Sequence, residues 1–323
     1  GTVVHTLRYA DQGDWGARQL GPVSSGHRGW EWSSTSDAGR RSQELINVSL
    51  SNESGQNWAP SLVDGGTPGG ANSVASGNIA PLILDAGHWP IIPGPADPVT
   101  VTARILDEQT AGLTVTIRYR LDTSTYVNQT TYAVFDAASY ASVPMRDDGA
   151  HGDGQAGDGV FGGVIPPQQN GRIVEFYVET RDAWGRTRTW PAPSLDLDRR
   201  PQQVTNALYQ VDNSFRPTWT PGSQPIYYII MTEMERGRLE YLGRYNGASN
   251  AQMNATFISV DGTGVQVRYN VGIRNRGHGS RTGPPNNQHI NFVNDKPWND
   301  RSALNFNTRH THLQIMGSTL FRM

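Results

Sequence analysis

The sequence contains no cysteine and a single lysine, Lys296, among 323 residues. Without thiols the chain forms no disulfide, no thiolate zinc site and no cysteine nucleophile. Charged residues make up only 17% of the chain, and the formal net charge is -2. A near-neutral chain lacks the basic surface typical of nucleic-acid and anionic-membrane binders, so we expect neither partner.

Long apolar runs are missing as well. No segment approaches the roughly 20 consecutive apolar residues of a membrane-spanning helix, so we expect no membrane insertion. The final residues, 317–323, are apolar and end without a polar tail. This ending favours the interpretation that the chain is a piece of a longer protein.

Glycine and proline are plentiful, with 36 and 20 residues, which favours strands and turns over helices. We therefore predict a mainly β protein with two immunoglobulin-like or β-sandwich modules followed by an incomplete α+β domain. Its length allows two or three domains, and turn-rich segments set their bounds. The predicted units are residues 1–73, 79–213 and 225–323.

The first unit has one clear apolar run, at 44–50, and closes on the glycine-rich segment 65–73. Its tryptophans are expected in the core; they include Trp30, Trp32 and Trp58. The ordered motifs at 43–47, 57–58 and 65–73 resemble the C-terminal half of a lamin-tail-like domain, an immunoglobulin-like β module. The resemblance covers about residues 28–73 and implies an N-terminally truncated module.

The second unit alternates apolar and polar residues at 99–103 and 113–121, and a further strand is expected at 173–180. A period of two predicts half-buried strands, and a further strand is expected at 131–135. Several short strands separated by turns indicate an antiparallel sandwich. The stretch 174–184 is similar to the penultimate strand of immunoglobulin-like modules in secreted proteins.

The third unit is expected to contain strands at 226–231, 255–258, 265–271 and 290–292. Thr232 is a plausible N-cap for a short helix that reaches about Leu242, with Glu233 and Glu235 in its first turn. Four ordered motifs, at 271–281, 284–292, 303–307 and 317–322, resemble the N-terminal part of the spore-coat CotH kinase-like family. The resemblance implies an atypical kinase-like fold whose catalytic half lies beyond Met323.

A loop that alternates aspartates and glycines is the first candidate site. Calcium takes six to eight oxygen ligands from flexible backbone, and this loop offers four carboxylates, those of Asp147, Asp148, Asp153 and Asp158. We predict calcium here. The alternative is an Asp/Gly hairpin whose carboxylates only cap turns.

An arginine- and glycine-rich turn is the second candidate, for phosphate or another anion. Its residues are Arg274, Arg276, Ser280 and Arg281. In an intact kinase-like protein they would help hold Mg-ATP. The alternative is a structural hairpin whose arginines pair with Asp295 or Asp300.

A histidine pair is the third candidate, because His310 and His312 would share one face of a strand, as zinc ligands do. A metal-dependent hydrolase could add His278 and His289, with Asp295 or Asp300. No nucleophile elbow occurs, and we assign no catalytic residue in this chain.

The preferred hypothesis is a calcium-stabilised structural or interaction protein, extracellular or at the cell surface, that binds a protein or surface polymer. The fragment itself would be non-catalytic. The alternative is an enzyme, either a CotH-like atypical protein kinase that is incomplete here or the zinc hydrolase described above.

Overall fold

The protein is mainly β, as predicted. The computed structural model describes residue 7 and residues 9–33, 41–215, 218–277 and 281–308. Within these residues lie 19 strands and a single α-helix, besides short 3-10 turns.

An antiparallel sandwich occupies the centre of the chain. One sheet holds three strands in the order β5 (Leu82–Trp89), β6 (Val99–Leu106) and β9 (Val160–Ile165). The facing sheet holds β7 (Thr114–Leu121), β8 (Ala141–Met145), β10 (Ile173–Arg181), β11 (Thr187–Trp190) and β14 (Ala207–Gln210). Burial along β6 alternates strictly, because one face packs into the core.

The strand predicted at 131–135 is wrong. These residues form no strand, and the side chain of Val134 is 78% exposed. The strand that follows β7 in the chain is β8 instead, and it pairs with β7 at the edge of the sheet. Pro144 lies in this strand, and an edge position tolerates the missing amide hydrogen.

The N-terminal strands complete a small sheet with a later part of the chain. The hairpin β1 (Ala17–Leu20) and β2 (Trp30–Ser33) joins β12 (Ser194–Leu195) and β13 (Pro201–Gln202). A separate pair consists of β3 (Gln43–Leu45) and β4 (Trp58–Pro60). Trp30 is buried, as predicted, whereas Trp32 and Trp58 are only half-buried. Backbone pairing thus crosses the boundary expected after residue 73.

The C-terminal unit is α+β. Its antiparallel sheet has the order β15 (Ile226–Ile230), β16 (Met253–Asp261), β17 (Gly264–Asn275), β18 (Gln288–Asn291) and β19 (Ala303–Phe306). Helix α1 (Glu233–Tyr245) begins where the sequence predicts, since the Thr232 hydroxyl accepts the amide of Glu235. Leu239 and Leu242 of the helix pack with Phe257 of the sheet in one core.

Candidate functional site

The Asp/Gly loop connects β8 to β9, and Asp153 is its buried centre, with 2% of the residue exposed. One carboxylate oxygen accepts the amides of Asp148 and Gly149, both at 2.7 Å, and the other accepts the amide of His151 at 2.9 Å. These hydrogen bonds lower the pKa of Asp153, and the one from Gly149 has the largest effect. The carboxylate therefore fixes three backbone amides of the loop.

The other three carboxylates cap turns in the same way. Asp147 accepts the amides of Gly157 and Gly159, at 2.6 and 2.9 Å. Asp158 accepts the amide of Val160 at 2.9 Å. Asp148 lies 2.8 Å from Nδ1 of His151, and this contact is the main cause of its lowered pKa.

Carboxylates that accept backbone amides are a feature that the hairpin alternative also predicts. In the ranges described above, no three His, Asp or Glu side chains are grouped so that they could hold a metal ion. The carboxylate oxygens that the calcium prediction needs already accept backbone amides of the loop. Calcium binding at this loop stays a prediction.

Two arginines of the arginine-rich turn donate hydrogen bonds to uncharged asparagine side chains. Arg276 donates to Oδ1 of Asn307 at 2.6 Å, and Arg281 donates to Oδ1 of Asn250 at 2.5 Å. Arg274 is half-buried, and its pKa is lowered. Burial is the largest cause, and the positive charges of Arg281 and Arg276 add to it. Ser280 lies outside the described residues, so the predicted anion site is only partly seen.

The expected pairing of these arginines with Asp295 is wrong. Asp295 lies against the N-terminal unit and accepts the backbone amide of Asp14 at 2.9 Å. Among the described residues, no ion pair involves Asp300.

Of the four histidines predicted as zinc ligands, only His289 is described. Its ring nitrogens lie 2.6 Å from Oδ1 of Asn305 and 2.9 Å from Oδ1 of Asn291. His278, His310 and His312 lie outside the described residues. Zinc binding also stays a prediction.

The junction between the sandwich and the C-terminal sheet is a feature that the sequence did not indicate. Tyr269 of β17 inserts its ring into the sandwich core, with its centroid 5.2 Å from that of Trp190. Its hydroxyl lies 2.6 Å from Nδ1 of His88, which is 5% exposed. Burial lowers the pKa of His88 to about 4 and raises that of Tyr269, so both are neutral near pH 7.

Arg18 joins the N-terminal unit to the same junction. Its guanidinium donates to Oδ1 of Asn254 at 2.6 Å and to the carbonyl of Asn270 at 3.0 Å. Asn270 in turn donates to the carbonyl of Thr205 in the sandwich at 2.6 Å. Arg18 and Asn254 are separated by 236 positions, so no local pattern in the sequence could have brought them together.

The fold defines a mainly β protein with an immunoglobulin-like sandwich at its centre. The family described as the second Ig-like domain of conditioned medium factor matches residues 96–187. The match spans most of the sandwich and less than half of the chain. No curated protein matches the sequence. Among the described residues, no helix is long and apolar enough to cross a membrane.

Proposed function

We propose that this chain is a structural or interaction protein of the extracellular space or the cell surface, and that it is non-catalytic. The observation that carries the proposal is the junction, where Tyr269 inserts into the sandwich core and donates to the buried His88. Contacts of this kind hold modules in a fixed arrangement, which suits presentation of a surface to a protein or a polymer.

The contacts among its motifs support a lamin-tail-like identity for the N-terminal unit. Glu44 accepts the amide and the hydroxyl of Ser73, both at 2.7 Å, as well as the hydroxyl of Thr67. These hydrogen bonds lower the pKa of Glu44 to about 2, and the one from Thr67 has the largest effect. Asn57 is fully buried and accepts the amide of Asn47. The motifs at 43–47, 57–58 and 65–73 therefore form one packed unit.

The order of the C-terminal strands supports a CotH-like identity for the third unit. The motifs at 271–281, 284–292 and 303–307 contain the C-terminal part of β17 and the whole of the adjacent strands β18 and β19. The fourth motif, at 317–322, lies outside the described residues. Ile273 lies opposite Ile290, which lies opposite Leu304. Sequence motifs that pair side by side in one sheet form a structural unit of this proposed domain.

Calcium binding by the Asp/Gly loop is a further part of the proposal. An ion that binds only the folded state raises the unfolding midpoint by mass action. The test is a thermal scan in excess chelator and then in excess calcium, with Asp148→Asn and Asp85→Asn as site and control variants. A calcium-dependent rise that only Asp148→Asn removes supports the site. No rise withdraws the calcium from the proposal.

The non-catalytic function is tested by assays for both enzyme alternatives beside a binding assay. We expect the purified chain to sediment with insoluble cell-wall polymer and to show no turnover. Labelling from Mg-ATP that Arg276→Gln removes would establish kinase chemistry instead. Hydrolysis that a chelator abolishes and zinc restores would establish the hydrolase. Either enzymatic result contradicts the non-catalytic proposal, whereas a chain that remains in the supernatant removes cell-wall polymer as the partner.

A further inference from the structure

A polar cavity of about 370 Å³ lies between strand β2 and the C-terminal sheet. Strand β2 contributes three consecutive residues, Trp30, Glu31 and Trp32. Strands β17 and β18 contribute Gly272 and Asn291, which lie opposite each other in the sheet. Ligand sites have volumes of about 300–1,000 Å³, so this cavity is large enough for a small ligand or for part of a longer one.

Hydrogen bonds between the lining side chains fix the polar wall of this cavity. Asn294 donates from Nδ2 to Oδ1 of Asp11 at 2.8 Å, which joins the C-terminal unit to the N-terminal one. Asn291 donates to Oε1 of Gln252 at 2.7 Å. The backbone carbonyl of Gln252 accepts the amide of Trp30 at 2.8 Å. The planar groups on the two sides of the cavity are therefore held in place by direct contacts.

Four of these planar groups keep an atom for a ligand. Asp11 and Glu31 each use one carboxylate oxygen as an acceptor, and the second oxygen of each has no partner among the described residues. Gln12 and Gln252 each accept through Oε1, and Nε2 of each has no acceptor in the same ranges. All four residues are half-buried, and none of the four atoms is among the buried unpaired polar atoms. Two acceptors and two donors on the lining residues are thus accessible to solvent.

The accessible charge of the cavity is negative. Its charged lining residues are Asp11, Glu31 and Arg18. Arg18 is 3% exposed, and its guanidinium carbon lies 5.5 Å from the ring centroid of Trp32, so it supports the indole from within the protein. Trp32 itself is half-buried and gives the cavity an accessible aromatic surface. Two accessible carboxylates disfavour an anionic ligand.

A sugar matches this combination of groups. Its hydroxyl groups both donate and accept hydrogen bonds, as the carboxylates and amides require, and its C–H face packs on an aromatic ring. An ammonium would satisfy the carboxylates but has no acceptor for Nε2 of Gln12 and Gln252. We propose that the cavity binds a saccharide without anionic groups, whose ring packs on Trp32. This proposal rests on the function proposed above and names a polysaccharide as the surface polymer.

Three neutral tetrasaccharides are the probes: cellotetraose, mannotetraose and chitotetraose. Binding to the intact chain is measured by calorimetry and by tryptophan fluorescence. We expect at least one of them to bind, and tetragalacturonate, which carries a carboxylate on each sugar, to bind at least about tenfold more weakly. Spermidine is the test for a simple cation site and should not compete with the saccharide. No binding by the three saccharides, equal binding of tetragalacturonate, or competition by spermidine would overturn the proposal.

Variants locate the bound saccharide. Trp32→Ala removes the aromatic surface and should weaken binding by about tenfold. Trp184→Ala is the matched control, because Trp184 is 58% exposed and lies in the sandwich; its affinity should not change. Ser302→Trp fills the cavity from an exposed position and keeps every group named above, so it tests the site even if Trp32→Ala does not fold. Unchanged saccharide binding in a folded Ser302→Trp variant would contradict the proposal.

Sedimentation with cell-wall polymer separates a failure of this site from a failure of the proposed function. We expect Ser302→Trp to remain in the supernatant when the unaltered chain sediments. If both proteins sediment equally, the cavity is not the polymer site, although the interaction function stands. If the unaltered chain stays in the supernatant but binds a tetrasaccharide that Ser302→Trp does not, the site stands and cell-wall polymer is removed as the partner.

Discussion

Removal of the Tyr269 hydroxyl is the most informative perturbation of the junction. Nε2 of His88 lies 2.9 Å from the carbonyl of Ile91 and must donate to it. Nδ1 is then an acceptor, and the Tyr269 hydroxyl is its donor at 2.6 Å. Tyr269→Phe leaves this buried nitrogen unsatisfied while it keeps the ring in place. A buried polar group without its partner costs about 1–3 kcal/mol.

Equilibrium denaturation checks this value. We expect the midpoint of Tyr269→Phe to fall at nearly unchanged slope, because the exposed surface of the unfolded chain is the same. Tyr245→Phe is the matched control, since Tyr245 is 68% exposed; its midpoint should not move. A loss of free energy no larger than that of the control would refute the reasoning.

A double-mutant cycle separates this hydrogen bond from other effects of the substitution. In a His88→Leu background the acceptor is absent, so Tyr269→Phe should cost less than in the natural sequence. Equal costs in the two backgrounds would show that the hydroxyl stabilises the junction by another route.

Two further predictions concern the carboxylates. In excess chelator, Asp153→Asn should lower the thermal unfolding midpoint more than Asp158→Asn does. The reason is that an amide nitrogen would replace an oxygen of Asp153 that accepts backbone amides. Equal midpoint shifts in the two variants would contradict this. For Asp295, burial is the main cause of a pKa raised from 3.8 to about 6, so the folded state binds the proton more tightly. As pH rises from about 4 to about 6, ionisation of Asp295 therefore lowers the free energy of unfolding by up to about 3 kcal/mol. Denaturation at several pH values should show that Asp295→Asn lacks this loss. The same pH dependence in both proteins would refute the prediction.

The strands of the central sandwich were predictable because burial on one face gives a period of two. The alternation at 99–103 became β6, and that at 113–121 became β7. The helix start was equally readable, since Thr232 supplies the capping oxygen itself. The failure at 131–135 has a physical cause, because a run of β-forming residues becomes a strand only where a core covers one of its faces, and Val134 faces solvent.

The junction could not be predicted, because it depends on packing between distant segments. Tyr269 reads as an ordinary strand residue, and its hydroxyl meets His88 from 181 positions away. Asp295 similarly meets Asp14 across 281 positions. The Asp/Gly loop was found from its composition, but composition alone does not separate a carboxylate that caps turns from one that binds a cation.

The central claim is that the sandwich and the C-terminal sheet are held as one body by their shared junction. Native-state hydrogen exchange measures it directly, because amides of β10 and β16 report the opening of the two parts separately. We predict that the slowest amides of both strands exchange with the same opening free energy and the same denaturant dependence. Exchange in β16 that is about tenfold faster than in β10 would contradict the claim.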